Sequence, residues 1–165
     1  MDALQDCARR VATLLIERGE SVAVAESSAG GLISAALVEV PGASAFYIGG
    51  CVIYTAAARQ ALLGITPEKM AGIRSATEAM SRLLASRLRE QLSTDWGLAE
   101  TGASGPKGNR YGDAAGHCCL ALCGPTMRSV TLETASDDRS GNMNRFALAA
   151  LELFESALKE ASADV

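Results

Sequence analysis

Aromatic residues are scarce, with three Phe, three Tyr and one Trp in 165 residues, and there is no excess of positive charge, the net value being −4. A nucleic-acid surface needs a basic footprint for phosphates and rings on which bases stack, so this composition argues against such a partner. Long apolar runs are missing as well. None approaches the roughly 18–20 residues that cross a bilayer, and the opening Met1-Asp2-Ala3-Leu4-Gln5-Asp6 is acidic where an export signal is basic. A soluble, unexported protein with no membrane partner is expected. The five cysteines (Cys7, Cys51, Cys118, Cys119 and Cys123) are odd in number and lie mostly in apolar segments. They read as small core hydrophobes in a reducing cytoplasm, not as a disulfide framework.

Helical and strand patterns alternate along the chain. Leu4, Cys7, Val11, Leu14 and Leu15 recur at helical spacing until Gly19, which predicts a helix over 3–18. Val22 and Val24 mark a short buried strand at 21–25, and turn chemistry from Glu26 to Gly31 leads into a helix over 31–40 that Pro41-Gly42 ends. Residues 46–55 are rich in aromatic and β-branched types and read as a strand, with Gly49-Gly50 hinting at a bulge or a close backbone approach. Residues 56–63 look helical up to Gly64, and Thr66-Pro67-Glu68 looks like a fresh helix start. Ser75 and Glu78 have capping-box spacing ahead of a long helix from about 76 to 92. A strand over 96–101, a glycine-rich loop over 102–114 and a hairpin of 115–123 with 127–134 across Gly124-Pro125 follow. Polar residues 135–142 precede a closing helix over 143–159, with fraying expected only at the last few residues.

This order implies one domain over 1–165, a three-layer α/β/α sandwich with a mixed, mostly parallel sheet. Ligands in such sheets collect where loops leave the carboxyl ends of strands, and segments 26–31, 55–59 and 102–113 are placed that way.

Within those segments, Ser27 stands in a strand-to-helix turn followed by Gly30 and Gly31. That arrangement either presents a hydroxyl beside free helix-start amides, which favour an oxyanion or a phosphate, or simply caps the helix. Thr101 to Gly108 is the stretch richest in glycine but lacks the Walker order; it is either a ligand wrap using backbone amides and Lys107, or plain loop. The only histidine, His117, shares a strand face with Cys119 and Cys123. Neighbours two apart on a face are nearly 7 Å apart, too far to chelate one ion unaided, so satisfied strand residues and no metal are expected. Asp137 and Asp138 suit the positive end of the last helix, and Arg139 and Arg145 are candidates for holding an anionic substrate.

Taken together, these motifs resemble the CinA C-terminal domain family, the nicotinamide-nucleotide amidases. Ala25-Glu26-Ser27-Ser28-Ala29-Gly30-Gly31 resembles its Ala-Glu-Ser-Cys-Thr-Gly-Gly signature. Pro41-Gly42-Ala43-Ser44, Tyr54-Thr55, Leu62-Leu63-Gly64, Thr101-Gly102-Ala103-Ser104-Gly105-Pro106 and Asp138-Arg139 match further motifs in order, over about 20–158. The resemblance implies an α/β/α fold with a mixed sheet and a homo-oligomer; no cofactor is expected. It also implies hydrolysis of the carboxamide of nicotinamide mononucleotide by a serine nucleophile with a lysine base. Ser27 takes the nucleophile's place, Tyr54 and Thr55 that of the second motif, and Gly102, Ser104, Gly105 and Pro106 that of the loop closing over the ligand.

The second motif departs from the family at the chemistry. Where members usually read Tyr-Ser-Asn-x-x-Lys, this chain has Tyr54-Thr55-Ala56-Ala57-Ala58-Arg59. A guanidinium stays protonated and can only donate hydrogen bonds or supply charge, and loss of a general base typically lowers a rate by about 10²–10⁴. One expectation is an amidase in which Ser27 attacks, Tyr54, Lys69 or Lys107 assists, and Arg59 stabilises anionic charge. A second is a catalytically lapsed relative that binds a nucleotide-like ligand. A third is a hydrolase of another small amide, its pocket reshaped by Lys107-Gly108-Asn109-Arg110-Tyr111-Gly112-Asp113.

Overall fold

A computed structural model describes residues 2–163, and the fraying expected at the very C-terminus lies outside the described residues. Helix α1 (Ala3–Arg18) starts where the Asp2 carboxylate accepts the Leu4 N–H and stops at Gly19, whose φ of 64° a side chain would resist. Strand β1 (Val22–Glu26) leads to α2 (Leu32–Val38), and a short 3₁₀ turn at Ala43–Ala45 leads to β2 (Tyr47–Val52). Helix α3 (Ala56–Leu63) and the single turn α4 (Pro67–Met70) precede α5 (Glu78–Leu92). Strands β3 (Trp96–Ala103), β4 (His117–Cys123) and β5 (Met127–Glu133) follow, and α6 (Arg139–Ala163) closes the chain.

The sheet order is β2-β1-β3-β4-β5. Strands β1, β2, β3 and β5 run one way and β4 against them, so the sheet is mixed as expected. Alternation divides its side chains between two cores. Val22, Val24, Trp96, Leu98, Leu120 and Leu122 pack under α1, α2 and α6, while Ala23, Ala25, Ala99 and Ala121 pack under α5. The small residues on the second face let α5 sit close: a Cβ at Gly97 would lie 2.2 Å from the Ala85 carbonyl oxygen. The close approach expected at Gly49-Gly50 is present, since a Cβ at Gly50 would lie 2.6 Å from the Val24 carbonyl oxygen, and the β1–β2 register shifts nearby.

Two boundaries differ from the sequence reading for identifiable reasons. Ala76 has φ of 58°, which no helix accepts, and Thr77 is the residue whose side chain accepts the Met80 N–H, so α5 begins at Glu78. Helix α6 begins at Arg139 instead of residue 143, because Asp138 supplies both cap bonds: its Oδ1 accepts the Gly141 N–H at 3.2 Å and its carbonyl the Asn142 N–H at 2.8 Å. Among the described residues no helix is long and apolar enough to cross a membrane.

Candidate active site

The carboxyl ends of β1 and β3 each carry a glutamate among apolar residues. Alternation puts Glu26 and Glu100 on the face shared by Val24 and Leu98, beneath the start of α2, and both are fully buried. Neither forms an ion pair among the described residues. Backbone donors hold them instead. Glu26 accepts the N–H groups of Gly31, Ile33 and Ser34 at 3.2, 2.9 and 2.8 Å. Glu100 accepts those of Ser27 and Ala29 at 3.0 and 2.8 Å, together with the Ser28 hydroxyl. Burial pushes the Glu100 carboxyl above the usual carboxylate range, against the pull of its bonds from Ser28, Ala29 and Ser27.

This arrangement corrects one expectation about Gly30 and Gly31. The helix start does not offer its amides to a ligand: the Gly31 N–H belongs to Glu26, and the Gly30 N–H bonds the Ser27 carbonyl at 3.0 Å. The two glycines supply positive φ, 66° and 102°, for the turn itself. The exception is the Ser28 N–H, which makes no hydrogen bond among the described residues.

Ser28, Tyr54, the segment from Gly102 to Asn109 and Arg139 surround a cavity of about 210 Å³. Its far wall is locally rigid. Arg139 donates to the Gly105 carbonyl and, at 3.0 Å, to the Tyr54 hydroxyl, which ties the first turn of α6 to both neighbouring segments. Asn142, 1 % exposed, donates to the Ser104 and Ser136 carbonyls at 2.9 Å each and accepts from Thr134. Farther along, the Asn109 side chain accepts the N–H groups of Tyr111 and Asp113, while Arg74 grips Asp113 with two bonds. Gly102 and Gly108 are obligatory here, because a Cβ would lie 2.4 Å from the His117 carbonyl oxygen and 2.0 Å from that of Asp113, respectively.

Of the residues singled out from sequence, the structure brings Tyr54, Gly102, Ser104, Gly105, Lys107 and Arg139 together around this cavity. Ser27 is half-buried in the same turn but outside the lining, which its neighbour Ser28 enters instead. Thr55 caps α3, accepting the Ala58 N–H at 3.2 Å, and lies outside the lining too. The Nε of Arg59 is buried without a hydrogen-bond partner, and burial lowers its pKa. It does not line the cavity, nor does the exposed Lys69 on α4. Arg145 is a correction: it lies against Leu132 and Leu148 beside β5, reaching the Thr134 carbonyl at 3.4 Å, apart from the site. Asp138 is a helix cap, and His117 is a satisfied strand residue. Its Nε2 faces the Ala76 carbonyl at 2.8 Å and its Nδ1 the Glu133 carboxylate. No group of three or more His, Cys, Asp or Glu side chains among the described residues is placed to hold a metal ion.

Sequence reasoning missed Glu100 and Asn142, and it named Ser28 and Asn109 only as members of longer motif stretches without a role of their own. A charged residue interrupting the apolar Trp96–Ala99 pattern was the available signal for Glu100; nothing in the spacing marked the two asparagines.

Comparison with known proteins agrees with this architecture. The family model described as CinA C-terminal domain matches residues 4–158. A CinA-like protein of Synechococcus sp. (strain CC9902) is 40% identical over 114 residues, covering 69% of this chain and 27% of that protein. One from Anaeromyxobacter sp. (strain K) is 35% identical over 149 residues, covering 90% of this chain and 36% of its own length. The chain thus spans about a third or less of these curated relatives. The crystal structure of a competence/damage inducible protein from Agrobacterium tumefaciens matches with a TM-score of 0.88 at 27% identity, over 96% of this chain and 97% of that one. A CinA superfamily protein from Klebsiella pneumoniae shows the same fold, with a TM-score of 0.90 at 24% identity over 97% and 99% of the two chains. On the family-model match and these relatives together, the chain belongs to the CinA C-terminal domain family.

Proposed function

We propose that this chain is an amidohydrolase that releases ammonia from the carboxamide of nicotinamide mononucleotide, using a serine hydroxyl of the turn at Ser27 and Ser28. One observation carries the reading: a serine turn with an uncommitted amide lines a cavity together with the glycine loop that bears Lys107 and with Arg139 from the start of α6. The serine turn suits acyl transfer, which needs a hydroxyl and a donor for the tetrahedral oxyanion. The glycine loop suits a phosphate, since the amides of Lys107 and Gly108 make no hydrogen bonds among the described residues and two cationic side chains adjoin them. Ser27 holds the family's nucleophile position and Ser28 holds the cavity wall. Work in the cytoplasm as a homo-oligomer forms part of the same proposal; sedimentation of the purified chain tests the assembly, and a monomer would reject it.

A second reading, ligand binding without turnover, is favoured by one specific observation: the residue at the family's lysine position, Arg59, is a guanidinium that does not line the cavity. Melting curves and ammonia assays with nicotinamide mononucleotide separate the two. A rise in Tm accompanied by ammonia supports hydrolysis, a rise without ammonia establishes binding alone, and neither rejects both.

A further inference from the structure

The family position points to Ser27, but the geometry of the turn favours its neighbour on three counts. Ser28 lines the cavity whereas Ser27 does not. The Ser28 hydroxyl donates directly to Glu100 Oε1, while the Ser27 hydroxyl has no hydrogen-bond partner among the described residues. The other Glu100 oxygen receives the N–H groups of Ser27 and Ala29 at 3.0 and 2.8 Å, which fixes the carboxylate and leaves the Ser28 N–H between them uncommitted.

We infer that Ser28 is the nucleophile and Glu100 its general base, with the Ser28 N–H as an oxyanion donor. This rests on the amidohydrolase reading and deepens it by moving the attacking group one residue from the family position. A nucleophilic serine's own backbone N–H is a known component of oxyanion holes.

The steps balance without an outside reagent. As Ser28 Oγ bonds to the carboxamide carbon, its proton passes to Glu100 and the carbonyl electron pair moves onto oxygen, beside the Ser28 N–H. Collapse of that intermediate breaks the carbon–nitrogen bond. Glu100 returns the proton to the departing nitrogen, which leaves as ammonia and a Ser28 ester. Water then attacks the ester and gives its proton to Glu100. The carbon–Oγ bond breaks, Glu100 reprotonates Ser28, and the product leaves as a carboxylic acid that ionises in water.

The surroundings of Glu100 suit a base. Its titratable neighbours are Glu26 from β1 and Cys118 from β4, whose thiol approaches at 3.9 Å. Neither is a cation, and burial raises the proton affinity of Glu100 above that of an ordinary carboxylate, while the bonds from Ser28, Ala29 and Ser27 oppose that rise. The same geometry supplies what Arg59 cannot, a proton acceptor in contact with the hydroxyl of a residue that lines the cavity.

The test compares the full chain with Ser27→Ala, Ser28→Ala, Ser28→Cys and Glu100→Gln, each checked for folding by circular dichroism. Two readouts are ammonia release from nicotinamide mononucleotide and mass-spectrometric mapping of the serine labelled by a sulfonyl fluoride. Ser28→Ala is expected to lower kcat on the order of 10³-fold or more and Glu100→Gln about 10²–10⁴-fold, KM changing little. Ser27→Ala should lower kcat far less than Ser28→Ala does, and the label should sit on Ser28 and form more slowly in Glu100→Gln. Ser28→Cys keeps a donor on Glu100, so a folded Ser28→Cys protein serves if Ser28→Ala fails to fold; it should accumulate a thioester on Cys-substituted position 28. Label on Ser27, no label, or full turnover without the Ser28 hydroxyl would overturn the assignment. If the parent releases no ammonia, the amidohydrolase reading fails, and the labelled position still decides whether Glu100 activates Ser28.

Discussion

A single half-buried side chain near the site, Arg59, shows how costs are distributed. The Nε of Arg59 lacks a hydrogen-bond partner and its guanidinium is partly desolvated, as its lowered pKa reflects. An unpaired buried donor costs about 1–3 kcal/mol, so Arg59→Met, which keeps the apolar stem, is expected to raise Tm by a few degrees. A fall in Tm would show that the guanidinium holds the α3 region together. Gly108 behaves oppositely. Its Cβ would collide with the Asp113 carbonyl oxygen at 2.0 Å, so Gly108→Ala should open the loop and raise KM for a nucleotide well above its effect on Tm. An unchanged KM would show that the loop does not meet substrate. At this scale the sequence was only partly legible. Tyr54, Lys107 and Arg139 could be named from motifs and charge, whereas choosing between Ser27 and Ser28 needed the turn's hydrogen bonds, which adjacent identical residues cannot reveal.

Elements were more legible, because periodicity and caps are local. Helix α1 falls where its heptad-like apolar spacing and Gly19 put it, and the β4–β5 hairpin forms across Gly124-Pro125. What escaped was the start of α6, which extends back to Arg139 because Asp138 caps it locally and Asn142 makes a distant contact with Ser104. Two element junctions also make stability depend on pH in opposite directions. Between α1 and α6, bonds from Arg10, opposed by desolvation and reinforced by Lys159, hold the Glu155 carboxyl at about 2 against an ordinary 4.5. A depressed acid stabilises the fold above its unfolded value, so this contribution is complete above about pH 4.5 and fades towards about pH 2. Glu155→Gln should therefore lower the urea midpoint at pH 7 and flatten its decline between those values; parallel curves for the two proteins would contradict it. Between β4 and β5, burial lowers the His117 pKa, but the Glu133 carboxylate, the Ala76 carbonyl and Asp113 raise it more, and the net direction is upward from 6.5. Only an imidazolium can donate to both acceptors. That stabilisation is present below pH 6.5 and is lost as pH rises through the folded value, so His117→Gln should remove a loss of stability that sets in as pH rises above 6.5.

The whole molecule is a scaffold that brings the carboxyl ends of β1 and β3 beside the first turn of α6. The alternation of strands and helices made the three-layer fold legible, and the rule that ligands gather at those strand ends pointed to 26–31 and 102–113. Segment 55–59 met that rule only through its neighbour Tyr54, because Thr55 is used as the cap of α3 and Arg59 lies outside the cavity lining. The two buried glutamates were readable in principle, since alternation assigns both to one face, but two unpaired carboxylates in a core are improbable until the amides that receive them are seen. The most direct measurement is the initial rate of ammonia formation when the purified chain meets nicotinamide mononucleotide. Hydrolysis predicts ammonia and nicotinic acid mononucleotide in equal amounts at a rate that saturates with substrate and scales with protein. Ammonia no faster than in buffer alone, across neutral pH and at saturating substrate, would contradict it.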